Sequence, residues 1–370
     1  MPDEEVKAIA RLVGRYKPGS ADAEFVSGQQ PLLGGGAVEK RIGTEGWQVF
    51  PLSTLLADGE DAKIRWILDG YLAPGIITMF TGLWKIGKTT FLTALLKALE
   101  AAQATFCGQC IRHAKVLVIT EESKSIWAAR RDTLKLKDHI ALTPKPFKTT
   151  PSAKDWLDFI KWVAKQAQAG GYGLVILDSL PNLWGGVRDE NDAAQVLAAL
   201  RPLNLLTELD IAVLLVAHPK KGDASEGQAT RGTGAIGGFV DIILEMRRLD
   251  AKQHNDTRRE LKAYSRFDQT PSLVVVQLDK EHGTYSLIGT KSDARADDRL
   301  DILLPLLPTV PPGKLPEEIF EQWPTGGDAS IPKPSVKTIT RDLEAAIELS
   351  LVGTTGKGVR GDPVRYHLLT

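Results

Sequence analysis

Residues 82–89 read Gly-Leu-Trp-Lys-Ile-Gly-Lys-Thr, two glycines five positions apart followed at once by a lysine and a hydroxyl. That spacing suits phosphate. The glycines let successive backbone N–H groups converge on one anion, and the run FLTALLKALE just beyond begins a helix whose N-terminal partial charge faces the same point. Lys88 would neutralise charge between the β- and γ-phosphates, and the Thr89 hydroxyl would ligate magnesium. Gly82, Leu83, Trp84, Lys85, Ile86, Gly87, Lys88, Thr89 and Thr90 are therefore the candidate contacts for ATP and Mg2+. Lys85 either approaches phosphate or points to solvent.

Further candidates stand where apolar runs end. Asp178 follows Leu174-Val175-Ile176-Leu177, 90 residues beyond Lys88. An acid at the carboxyl end of a buried parallel strand faces the ligand crevice, where it can hold a magnesium-bound water. Glu121 and Glu122 close the run Val116 to Thr120. A carboxylate there can polarise the water that attacks the γ-phosphate, and Glu122 is preferred. The alternative is that both acids simply cap the helix holding Ile126 and Trp127. His218 ends a third run, Val216-Ala217-His218. A neutral imidazole there can donate to the γ-phosphate and relay nucleotide state onward, and a structural histidine is the equal alternative.

Bringing these residues together requires a sheet. From about Trp47 to Gly289 short β-branched runs alternate with helical stretches, which predicts a mostly parallel sheet covered by helices. The runs 76–80, 116–119, 174–177 and 211–216 are nearly continuous, as strands buried on both faces are. Runs near 242–246, 259–264, 273–278 and 284–288 alternate, which predicts antiparallel edges. Upstream, residues 3–16 suit a short amphipathic helix on a Gly/Ser/Ala/Pro/Gln-rich linker that reaches to about Gly46, packing on a neighbouring subunit or on nothing. Downstream of Gly289, helices are expected at 294–307, 316–323 and from the N-cap Ser335, followed by a hairpin around GTTGKGVRGD. The expected division is thus 1–46, 47–289 and 290–370.

Composition narrows the function classes. The 370 residues carry 46 basic and 46 acidic side chains, so any nucleic-acid surface must be local. No apolar run approaches the roughly 20 residues that cross a bilayer. An acidic N-terminal stretch and only two cysteines suggest a cytoplasmic protein without a disulfide scaffold. Cys107 and Cys110, with His113 nearby, have half of a zinc-site spacing and no second pair, and read as a metal-free turn between helix and strand.

With these strand-end residues in one order, region 47–289 resembles the RecA-like ATPase core, in particular the RepA-type plasmid helicases and the related DnaB-type hexameric helicases. The likeness rests on GLWKIGKTT at 82–90, VLVITEES at 116–123, LVILDSL at 174–180, LLVAHPKKG at 214–222 and RGTGAIGGFVDIIL at 231–244. It implies an α/β P-loop fold, ATP and Mg2+ as ligands, a homo-oligomeric ring of six and single-stranded DNA as partner. It further implies phosphate and magnesium contacts by Lys88 and Thr89, catalysis by Glu122, a magnesium-associated role for Asp178 and phosphate sensing by His218. An arginine from the neighbouring subunit completes such sites, carried in a Lys-x-Arg pattern. Here that stretch is Tyr264-Ser265-Arg266, so the arginine is present and the lysine is not; Arg231 and Arg259 are rivals.

Two loops face the channel of such a ring, 182–188 with an exposed Trp184 and Arg188, and the stretch from Lys220 and Lys221 to Arg231. The tail 290–370 resembles winged-helix domains, with Lys337, Thr338 and Arg341 opposite the apolar stripe and Lys357 and Arg360 at the hairpin tip. Its ten basic against twelve acidic residues leave duplex binding and protein docking both open. The expected activity is ATP-driven movement on single-stranded DNA in plasmid, phage or mobile-element replication. The alternatives are an ATP-gated DNA-binding regulator or initiator and a recombinase-type filament former.

Overall fold

The computed structural model describes residues 64–100, 105–217, 234–250, 255–324 and 331–369. The expected N-terminal helix and linker fall outside them. In chain order the main elements are β1 (Ile77–Gly82), α1 (Lys88–Glu100), the short pair β2 (Thr105–Phe106) and β3 (Gln109–Cys110), β4 (Val116–Thr120), α2 (Lys124–Leu134), β5 (Ile140–Pro144), α3 (Ala153–Gly170), β6 (Leu174–Asp178), α4 (Ala193–Leu200) and β7 (Ala212–Val216). They continue with α5 (Gly234–Phe239), β8 (Ile242–Arg248), β9 (Arg258–Ser265), β10 (Leu273–Asp279), β11 (Thr284–Gly289), α6 (Lys291–Leu303), α7 (Pro316–Gln322), α8 (Val336–Glu348), β12 (Val352–Thr355) and β13 (Arg365–Leu368).

Nine strands form one sheet in the order β11-β10-β9-β8-β1-β7-β6-β4-β5. The six from β5 to β8 are parallel, and β9, β10 and β11 extend the sheet antiparallel. This is the RecA-like P-loop arrangement. β8 departs from the antiparallel expectation: it pairs parallel with β1 on one side and only its other side is antiparallel, to β9. Its first five residues are all buried, as in the other parallel strands. β5 leaves no mark in the sequence pattern, because an edge strand with half-buried residues and a terminal proline has neither an apolar run nor strict alternation.

The parallel strands are apolar throughout because both faces are covered. Phe80, Val116, Val118, Leu174, Ile176 and Leu214 pack beneath α1 and the β2–β3 hairpin, whereas Ile77, Met79, Leu117, Ile119, Val175 and Leu215 pack beneath α3 and α4. α3 is fixed at both ends, by a capping box between Ser152 and Asp155 and by Gly171 in the left-handed conformation. Its apolar stripe, Trp156, Ile160, Val163 and Ala167, repeats at three and four. Cys107 and Cys110 lie between α1 and β4, as expected, on the short β2–β3 hairpin; Cys107 is buried and Cys110 exposed.

The tail after β11 builds its own core. α6, capped by Thr290 with Asp293, α7 and α8, capped by Ser335, surround Leu303, Ile319, Trp323, Ile339 and Leu343, and the β12–β13 hairpin closes it with Val352 and Tyr366. Arg299 on α6 grips Asp342 on α8 with two bonds, one of 2.8 Å. No helix among the described residues is long and apolar enough to cross a membrane.

Candidate functional site

The loop between β1 and α1 turns on its glycines. A Cβ on Gly82 would stand 2.6 Å from the Met246 carbonyl oxygen, and Gly87 has a φ of +107°. Neither position accepts a side chain without rearrangement. Lys88, 5% exposed, bends back so that Nζ donates to the carbonyls of Gly82 (2.6 Å) and Leu83 (3.1 Å). Burial pushes its pKa down to about 8, against the opposing pull of Asp178. Thr89 is half-buried in the first turn of α1, whereas Trp84, Lys85 and Thr90 are exposed.

The carboxylates gather at the same end of the parallel strands. Asp178 lies opposite Thr120 in the β4–β6 register, and the Glu121 N–H donates to its carbonyl (3.1 Å). Only 8% of Asp178 is exposed, and its carboxylate has no hydrogen-bond donor among the described residues. Burial pushes its pKa up to about 6; Glu122 and Glu121 push the same way, and Arg130 and Lys88 oppose them. These interactions bring Lys88, Glu122 and Asp178 into one electrostatic unit.

The two glutamates are held in different ways. Glu121 accepts from the Asn182 amide and from the Ser179 hydroxyl (3.4 Å), which ties it to the turn after β6. Glu122 receives both guanidinium arms of Arg130, Nη2 at 2.8 Å, and Arg130 itself lies 5.1 Å over the Trp127 ring. The helix-cap alternative does not describe them, since the N-cap of α2 is Ser123.

The arginines separate sharply. Arg259 on β9 donates through Nε to the Ile86 carbonyl (2.8 Å), so it braces the phosphate loop of its own chain. Arg266, 60% exposed, pairs with Asp241 (3.4 Å) and donates to the Gly238 carbonyl (3.0 Å). Asp241 in turn accepts from the Ile77 N–H at the start of β1. Arg266 therefore sits at the opposite end of the strand from the loop, five residue steps or about 17 Å away. His218, Lys220, Lys221 and Arg231 lie outside the described residues.

One candidate is corrected. Trp184 is 6% exposed, not available at the surface: the chain after β6 makes a 3-10 turn at Leu180–Asn182 and tucks the indole into the core beneath α3 and α4. Gly185 makes that approach possible, because a Cβ there would stand 2.2 Å from the Ser152 carbonyl. Arg188 is exposed just beyond, its N–H on Gln195 (2.7 Å). Lys337 and Arg341 are exposed on α8, and Lys357 and Arg360 on the β12–β13 turn.

Sequence reasoning missed Arg130 and the bracing role of Arg259. Arg130 carried a faint signal, a cation two turns into the helix that starts beside Glu122. Arg259 carried none, being 173 residues from Ile86.

Among known proteins, residues 47–224 match the model of a family described as an AAA domain. A solved ATPase domain is similar at 17% identity over 57% of this chain and 84% of that one, with a TM-score of 0.42. A structure of a DnaB-like replicative helicase and its interactions with primase is similar at 17% identity over 61% of this chain and 64% of that one, with a TM-score of 0.43. No curated protein matches the sequence. At that level of likeness the residues of the site must carry the chemistry.

Proposed function

We propose that this RecA-like P-loop ATPase is a ring-forming DNA translocase or helicase of the RepA/DnaB type, acting on single-stranded DNA in plasmid, phage or mobile-element replication. The observation that carries the reading is the position of Arg266. An arginine about 17 Å from its own phosphate loop, exposed and held among the described residues by Asp241 and Gly238, serves a nucleotide only if that nucleotide belongs to a neighbouring copy.

The residues fit ATP and magnesium. Lys88 is a buried cation whose only described acceptors are backbone carbonyls, and Asp178 is a buried carboxylate without a donor among the described residues. Lys88 releases the Gly82 and Leu83 carbonyls and turns to the β- and γ-phosphates, while the N–H groups at the start of α1 face the same oxygens. Thr89 and Asp178 hold the metal side. Bound there, magnesium would supply charge neutralisation at the β- and γ-oxygens. Glu122 swings off Arg130 to orient the attacking water and take its proton. His218 senses the γ-phosphate, and Arg266 of the next copy stabilises charge on the transferring group. Arg188, Lys220, Lys221 and Arg231 are the proposed contacts to the strand, and Lys337 and Arg341 the proposed DNA contacts of a winged-helix-like tail.

A mixing experiment tests this. Lys88→Ala and Arg266→Ala each abolish single-stranded-DNA-stimulated ATP hydrolysis, and an equal mixture of the two regains activity because some interfaces pair an intact loop with an intact arginine. A silent Arg266→Ala, or hydrolysis indifferent to single strands, removes the translocase reading. Tyr264 favours a second reading: it stands where the family's lysine would, with Lys262 Nζ 4.9 Å above its ring, so one interfacial cation is missing. An ATP-gated DNA-binding regulator needs less interfacial charge, and absence of strand displacement under conditions of full hydrolysis would select it.

A further inference from the structure

Where the sheet meets the tail there is a cleft of about 660 Å³, walled by the ends of β8 and β9, one face of α6, the segment 331–334 and the start of α8. Seven of its lining side chains are basic and three acidic. Part of that charge is structural. Arg258 pairs with Asp256 (3.0 Å) and Asp298, and Arg299 with Asp342, which fixes the walls. Arg248 and Arg295 differ. Neither has a partner among the described residues, and the Arg248 Nε lies out of contact with solvent without a hydrogen bond. Such a group is costly unless something else accepts from it.

The charges on α6 are largely sorted, Asp298, already paired with Arg258, being the one acid of the helix that also lines the cleft. Lys291, Arg295 and Arg299, four apart, line the cleft. Asp293, Asp297 and Asp301, also four apart, occupy the other side of the helix, where burial and then the neighbouring acids raise the Asp297 pKa. A solvated helix gains more from alternating signs at that spacing. A helix that turns three basic side chains and one already paired acid into a cavity is arranged for an anionic ligand.

The cleft adjoins the exposed face of α8, where Glu344 is the one acid beside the basic residues. Thr338 lines it and at the same time lines a second concavity of about 450 Å³ with Lys337, Thr340 and Arg341. A track of this kind is longer than one small anion. A sphere of 660 Å³ is about 11 Å across, narrower than even the ~12 Å major groove of a duplex, so a single strand fits and a duplex does not. We propose that the cleft carries the phosphodiester backbone of a single-stranded DNA segment passing between the α8 face and the sheet, with Arg248 and Arg295 each meeting a phosphate. The strand would then bridge the tail and the ATPase sheet. This rests on the tail being a DNA-contacting module.

The test uses the full-length protein, a fluorescein-labelled oligothymidylate and anisotropy titrations over a series of salt concentrations. Each phosphate contact to a single strand contributes about 0.7 to the slope of log affinity against log salt. Arg248→Gln/Arg295→Gln should lower the slope by about 1.4, weaken binding to every sequence alike and leave the melting temperature unchanged, since neither arginine has a partner to lose among the described residues. Arg248→Lys/Arg295→Lys should return the slope. If Lys337→Gln/Arg341→Gln weakens binding while the cleft variant does not, the tail binds DNA elsewhere and the cleft proposal fails. If neither pair changes binding, the reading of the tail fails with it. If tripolyphosphate binds the wild type and not the cleft variant while oligothymidylate binds both equally, the cleft takes a small anion and the strand is refuted.

Discussion

Replacing Asp178 with asparagine should stabilise the nucleotide-free protein while abolishing its function. The carboxylate is 8% exposed, faces Glu122 and Glu121, and is held up near a pKa of about 6 against 3.8 for an ordinary aspartate. The difference corresponds to about 3 kcal/mol. Because the folded state keeps this proton more tightly, stability is complete below 3.8 and is lost as pH rises through about 6. An asparagine in its place has no such proton and escapes the loss. Asp178→Asn should therefore match the wild type near pH 4, exceed it by about 1.5 kcal/mol at pH 5 and by about 3 kcal/mol at pH 7 and above. Urea unfolding followed by tryptophan fluorescence, with a chelator present and no nucleotide, reads the difference, and hydrogen exchange on β1 and β6 localises it. An asparagine variant no more stable than the wild type at pH 8, or one whose advantage does not shrink toward pH 4, would refute the electrostatic account of this site. The physical point is that Asp178, when ionised, is a buried charge beside the like charges of Glu122 and Glu121.

Two further outcomes follow from the geometry. Arg259→Ala releases the Ile86 carbonyl and should weaken binding of a fluorescent ATP analogue by roughly tenfold, the loss of one charge-assisted hydrogen bond, without changing the melting temperature of α6–α8. Arg299→Ala leaves Asp342, 3% exposed, with the looser Arg341 (3.6 Å) among the described residues, and should cost the tail about 3 kcal/mol in urea unfolding while ATP binding at the P-loop persists.

The parts of the site that local spacing dictates were legible: the glycine-pinned loop between β1 and α1, and the acids at the ends of buried strands, occur next to the runs that position them. The strands β1, β4, β6 and β7 were legible for the same reason, since burial on both faces leaves an uninterrupted apolar record. What escaped depended on partners distant in sequence. Nothing in Trp184-Gly185-Gly186 says whether the indole faces solvent or the core; the close approach of Gly185 to Ser152 decides it. Nothing in β8 says that its neighbours run in opposite directions, because pairing is settled by where β1 and β9 lie. Arg259 could be read as an arginine for a neighbour until the fold set it against Ile86.

The burial of Trp184 has a mechanical side. Glu121 and Glu122 are consecutive yet anchored in opposite directions, one to the turn after β6 through Asn182 and Ser179, the other to α2 through Arg130. A change at the end of β4 therefore acts on both elements at once. The turn after β6 is not a slack loop that absorbs such a change. It is pinned by Trp184 in the core, and Gly185 and Gly186 pack against Ser152 and Ala153 at the start of α3. Movement of Asn182 would be relayed past that fixed point to the exposed stretch at Arg188, held by Gln195 on α4. A buried tryptophan is thus useless for stacking on a base and well placed as a pivot. If nucleotide state reaches Arg188, the route runs through Glu121 and Asn182, and it depends on the rigidity that the buried Trp184 gives this turn.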